Sequence, residues 1–168
     1  ASGMQKDTLL EAGFGQVAIA ANGDVNVLAQ SVNGQLDLGD QASLRLLSSR
    51  GNVTLGGQTT SAQGSVELRS KTGAVTLAEG ASVQLQGRWV NQLQDPQAGN
   101  LATAGGSFTA SGASAVTLGP GSVVDVSGGA FTSRSGSTTG GNGGSVALTV
   151  SNDTAGTTPG LTLDGTLR

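Results

Sequence analysis

The sequence predicts an all-β chain wound into a right-handed parallel β-helix, a solenoid of roughly six to seven coils with two loop excursions. Three observations carry that expectation. A short apolar–polar–apolar figure recurs along the chain, glycine or another small residue stands before most copies of it, and the composition is wrong for the obvious alternatives.

The recurring figure opens at Val17 (VAI), Val25 (VNV), Leu36 (LDL), Leu44 (LRL), Val53 (VTL), Val66 (VEL), Val75 (VTL) and Val83 (VQL). Alternation with a period of two sends Val66 and Leu68 to one face and Glu67 to the other, which is strand geometry. A helix would need apolar residues at three and four, with Ala, Glu or Lys where this chain has Gly, Ser, Thr and Asn. The figures pair off. Val17 to Val25, Leu36 to Leu44 and Val75 to Val83 are each eight residues apart, whereas Val53 to Val66 is thirteen, as if "GQTTSAQG" were a short insertion. First members of successive pairs step by 19, 17 and 22 residues, which predicts coils with at least two strands per turn. One coil cannot bury its own apolar face, but stacked coils share a continuous column. Stacking Val25, Leu44, Val66 and Val83 then places Asn26, Arg45, Glu67 and Gln84 in an outward ladder, with Arg45 beside Glu67.

The second half repeats the figure at Phe108, Val116, Val123, Val146 and Val150. Two stretches break it. Residues 91–105 contain Pro96 and no alternation, and residues 127–144 are rich in Gly and Ser, so both read as loops leaving the coil. The repeat resumes after each, so residues 1–168 form one β-helix segment, a rod about 30 Å long at a strand spacing of about 4.8 Å.

Leu, Ile, Val and Phe make about 23% of the chain, little above the level that accompanies disorder. A disordered chain this poor in apolar residues usually carries strong net charge, and here it is −3. Twenty-nine glycines without a three-residue period exclude collagen and point to turns. Eight scattered Lys and Arg and a pI of about 4.6 argue against a nucleic-acid partner. No apolar run reaches the roughly 18 residues of a membrane span, so membrane insertion is not expected. The opening "ASGMQKD" reads as the start of an excised piece. The chain has no Cys, which excludes disulfides and thiolate metal sites and suits a protein that crosses an outer-membrane pore unfolded.

"TLLEAGFGQVAIAANGDV" near the start, "GRWVNQ" at 87–92, and "LGPGSVVDVSGG" followed by "GGSVAL" at 118–148 together resemble the filamentous haemagglutinin-like exoproteins of Gram-negative bacteria. The resemblance implies an internal rod segment of a much longer secreted adhesin. It also implies an outer-membrane transporter partner during two-partner secretion, and a location outside the cell or on its surface. The Asn-Pro-rich signatures of the family's secretion domain are absent, so recognition of the transporter is not carried over to this segment.

Candidate sites are few. Polysaccharide lyases and hydrolases on β-helices need clustered acids. Asp37, mid-strand and outward, and Asp40, in the next turn, are the closest pair, but the assumed register puts Ala18, Thr54 and Thr76 beside Asp37. Arg45 and Glu67 read as an exposed structural ion pair. "GGNGGSVAL" at 140–148 is similar to a calcium-binding nonapeptide but has Ser145 where the Asp ligand belongs, and no phosphate loop is present. The sequons at Asn52 and Asn152 mean little in a bacterial-looking chain. Trp89 is the only tryptophan. It reads first as packing over the loop or closing the core edge, and second, with Arg88, as a ligand contact for a sugar ring. The sequence therefore predicts no enzyme, no catalytic or metal-binding residue and no cofactor. It predicts a structural segment supporting adhesion, with host-cell glycan or protein as the partner class. A lyase-like enzyme and a loop-borne glycan-binding module are the alternatives.

Overall fold

The computed structural model describes residues 15–28, 35–99, 103–151 and 160–168. The first coil runs through β1 (Gln16–Ala21), β2 (Val25–Leu28) and β3 (Gln35–Asp37). The second is β4 (Ser43–Ser48), β5 (Val53–Gly56) and β6 (Gln58–Thr60), and the third β7 (Ser65–Ser70), β8 (Val75–Leu77) and β9 (Ser82–Gln84). After β10 (Trp89–Asn91) leaves the stack, the chain returns as β11 (Ser107–Gly112), β12 (Ala115–Leu118) and β13 (Val123–Asp125). It departs again through β14 (Ala130–Thr132) and β15 (Thr138–Gly140), then adds β16 (Ser145–Val150), β17 (Gly160–Leu163) and β18 (Thr166–Leu167).

Each coil gives one strand to each of three parallel sheets, ordered β1-β4-β7-β11-β16, β2-β5-β8-β12-β17 and β3-β6-β9-β13-β18. This is the parallel β-helix the repeat predicts, of about five to six coils, and among the described residues each turn uses three strands. The third strand was hidden by one side chain. Thr59 occupies the inner position between Leu36 and Val83, so β6 shows no apolar figure and "GQTTSAQG" looks like an insertion. The 22-residue step from Val53 to Val75 is a true coil, with the two in direct register.

The three inner columns form one core. The first sheet stacks Val17, Leu44, Val66, Phe108 and Val146, and the second Val25, Val53, Val75, Val116 and Leu161. Leu44, Val66, Phe108, Val53, Val75 and Val116 are buried. Burying each such side chain contributes about 1.5–3 kcal/mol. The assumed stack of Val25, Leu44, Val66 and Val83 is corrected: only Leu44 and Val66 share a column, while Val25 pairs with Val53 and Val83 with Thr59. The Arg45–Glu67 rung survives, and Asn26 and Gln84 belong to other sheets.

The corners explain the small residues. Ser48 Oγ donates to Gly23 O (2.8 Å) and accepts from Gly51 N (2.8 Å); one coil later Ser70 Oγ donates to Gly51 O (2.6 Å) and accepts from Gly73 N (2.8 Å). Beside them Asp24 Oδ1 accepts from Asn52 N, and Asn52 Oδ1 from Ala74 N, so the side chain of the Asn52 sequon is a corner acceptor. These bonds satisfy turn backbone groups that no sheet reaches. At the corner leading into the first sheet, a Cβ on Gly106 would lie 2.0 Å from Gly64 O. Only glycine fits there, because coils touch backbone to backbone.

The two excursions are one structure. β10 pairs in parallel with β14, which pairs antiparallel with β15, making a small sheet on the flank of the coil. Arg134 donates to Pro96 O, tying the second excursion to the first. The expectation of a Gly- and Ser-rich loop across 127–144 is corrected accordingly: Ala130 is buried, Ala130 N donates to Arg88 O and Gly129 N to Thr103 O. Asn152 and the part of the opening motif before residue 15 lie outside the described residues.

Candidate functional site

The chain leaves the coil immediately after the third sheet, and this places Arg88 and Trp89 beside that sheet's outer face. Register there stacks Asp37, Thr60, Gln84 and Asp125, one per coil. The alternation that buries Leu36, Thr59, Val83 and Val124 turns these four outward. The earlier neighbours of Asp37, namely Ala18, Thr54 and Thr76, are therefore replaced by Thr60 and Gln84, with a second acid, Asp125, three coils away.

A cleft of about 440 Å³ lies between this column and the departing chain. Its floor includes Gln35, Asp37, Thr60 and Gln84, one rim carries Asp40, Ser61 and Ala62, and the far wall is Gln86, Gly87, Arg88 and Trp89. Gln35 Nε2 donates to Thr60 Oγ1 (3.3 Å), and Asp37 Oδ1 accepts from Gly39 N (3.0 Å). Arg88 Nε and Nη2 both donate to Asp40 Oδ1, at 3.0 and 2.6 Å. This ion pair joins residues 48 apart in sequence and holds the wall against the turn of the first coil.

Trp89 is 81% exposed, so the expectation that it closes the core edge or packs over the loop is overturned. The reason is its strand. β10 belongs to the flanking sheet, where Val90 meets Phe131, and the indole has no core to enter. Arg88 and Trp89, the two candidate ligand contacts, thus stand side by side on the cleft wall.

Two other surfaces bear on chemistry. A hollow of about 240 Å³ on the first sheet is lined by Ala20, Arg45, Leu47, Ser48, Ser49, Arg69 and Lys71, and Arg45 there is bound to Glu67 at 2.7 Å. A second groove of about 440 Å³ runs along the glycine corner past Gln41 and Gln63. Both glutamines have φ of 55°, and Gln41 Nε2 donates to Gln63 Oε1 (3.2 Å). The sequence does mark them: each stands three residues before an apolar figure, Gln41 before Leu44 and Gln63 before Val66, one coil apart. Among the described residues, no three His, Cys, Asp or Glu side chains converge as a metal site would need. Ser145 of the glycine-rich 140–148 stretch simply opens β16.

What the cleft can do is bind. It joins a flat aromatic face to a floor of amide, hydroxyl and carboxylate groups, with the Arg88 guanidinium engaged by Asp40. No protein-family model, no curated protein and no solved structure matches the chain; what its structure shows is the architecture, a parallel β-solenoid of three stacked sheets.

Proposed function

We propose that the chain is a structural rod segment of a secreted bacterial adhesin of the filamentous haemagglutinin-like kind, holding binding surfaces away from the cell. The observation that carries this reading is the register of the coils, in which three parallel sheets gain one strand each per turn and every inner residue is covered by its counterpart in the next coil. Leu161, Leu163 and Leu167 are 51%, 49% and 44% exposed, yet they stand in register on Val116, Leu118 and Val124, which are at most 1% exposed. Among the described residues these three continue the inner columns at the sheet edge, and inner positions are buried wherever a further coil stands on them. A stack built by repeating one coil has the geometry of a rod.

The resemblance in "GRWVNQ" and "LGPGSVVDVSGG" supports the secreted setting, with an outer-membrane transporter as the export partner. The absence of Cys fits passage of an unfolded chain through a pore. The polysaccharide-lyase alternative lacks a specific observation in its favour. Asp37 and Asp40 have Gly39 N and Arg88 as their partners, and no His stands in the chain to share proton transfer. A turnover assay tests the scaffold reading: the chain releases no reducing ends or unsaturated products from acidic or neutral polysaccharides, with or without Ca²⁺. Product formation that disappears in Asp37→Asn or Asp40→Asn overturns it.

A further inference from the structure

We propose that the cleft over the third sheet is a binding site for a neutral oligosaccharide, with one sugar ring stacked on Trp89. This goes beyond the rod reading and does not rest on it, since a segment that binds no sugar remains a rod segment.

The first observation is the indole. Trp89 is the chain's only tryptophan, it is 81% exposed, and it is one of the residues that line the cleft. A pyranose offers an apolar C–H face and a rim of hydroxyls, so it matches a flat aromatic wall beside convergent polar groups. The second observation is the floor. Asp37, Thr60 and Gln84 present a carboxylate, a hydroxyl and an amide on successive rungs. Together they can both donate to and accept from sugar hydroxyls. Rungs repeat at about 4.8 Å, comparable with the length of one pyranose unit, so a glycan lying along the coil axis meets one polar side chain per sugar. The third observation is rigidity. The Arg88–Asp40 pair and the pairing of Trp89 with Ala130 hold the wall in place before any ligand arrives, which limits the ordering cost of binding.

Charge selects the ligand class. The charged residues lining the cleft are Asp37, Asp40 and Arg88, which leaves one net negative charge. Arg88 faces Asp40, so no unmatched cation is there to receive sulfate or carboxylate. The exposed basic residues Arg69 and Lys71 lie at the separate hollow on the first sheet. Sulfated, uronate-containing and sialylated glycans are therefore disfavoured here, and neutral hexose or N-acetylhexosamine chains fit.

The test is isothermal titration calorimetry on the whole chain with neutral hexasaccharides (β-1,4-glucan, β-1,3-glucan, β-1,4-linked N-acetylglucosamine and α-1,6-mannan), and with heparin and polysialic acid as acidic probes. At least one neutral hexasaccharide binds with Kd between about 10 μM and 1 mM, and the fluorescence of the single tryptophan shifts with the same saturation. Trp89→Ala weakens binding by about tenfold or more, Trp89→Phe retains most of it, and Gln84→Ala weakens it severalfold, all with an unchanged β-rich circular dichroism spectrum. The phenylalanine and Gln84 variants decide the matter if the alanine variant misfolds. Three results overturn the proposal: no binding of any neutral probe at about 5 mM, binding indifferent to both Trp89 and Gln84, or heparin binding at least as tight as that of the best neutral glycan, lost in Trp89→Ala and kept when Arg69 and Lys71 are replaced by Ala.

Discussion

Single side chains show how the fold discriminates between its two faces. Val66 sits between Leu44 and Phe108 in the buried first column, and the next residue, Glu67, reaches outward to Arg45. Val66→Asp places an unpaired charge among apolar neighbours and destabilises by several kcal/mol. Glu67→Ala removes an exposed pair contributing about 0–1 kcal/mol. Chemical denaturation of the two variants checks this, and equal midpoints contradict the assignment of faces. Thr59 is the informative exception. Its hydroxyl is fully buried between Leu36 and Val83, with no hydrogen-bond partner among the described residues. Thr59→Val keeps the shape, removes the unsatisfied group and raises stability by about 1 kcal/mol, read as a higher denaturation midpoint. A lower midpoint means that the hydroxyl has a partner. The same residue shows why one strand, β6, escaped the sequence: a polar inner position erases a figure that is only three residues long.

At the scale of elements, strands with apolar inner residues were legible and strands held by backbone alone were not. β4, β7, β8 and β9 follow the alternation, but β14 and β15, "AFT" and "TTG", carry almost none of it and exist because β10 offers an edge. The Gly and Ser content of 127–144 reads as loop for sound local reasons, and pairing across some 40 residues overrides it. Deleting 130–140 therefore does more than shorten a loop. It removes the partner of β10, lowers stability by about 1–3 kcal/mol, and abolishes amide-exchange protection at 89–92 while β7, β8 and β11 stay protected. An unchanged melting transition with protected 89–92 contradicts the flanking sheet. The candidate site was half legible for the same reason. Arg88 and Trp89 stand out as residue types, but their meeting with Asp40, Thr60 and Gln84 depends on three strands per coil, which an assumed register of two does not give.

Over the whole molecule, the columns make a rod whose flanks are polar and whose last coil is open. Replacing Leu161, Leu163 and Leu167 together by Ser leaves the first four coils folded and lowers self-association at high concentration, measured by sedimentation velocity, because half-exposed core positions at a sheet edge favour pairing with another chain. Association unaffected by the triple change means that this end is not a stacking surface. The central claim, that the segment works outside the cell as part of a secreted adhesin, meets its most direct test on the producing bacterium. Intact cells are labelled with antibody raised against this chain, before and after mild external protease. The account predicts surface labelling, with released antigen in the medium, and loss of label after protease without lysis. Label that appears only in permeabilised cells contradicts it.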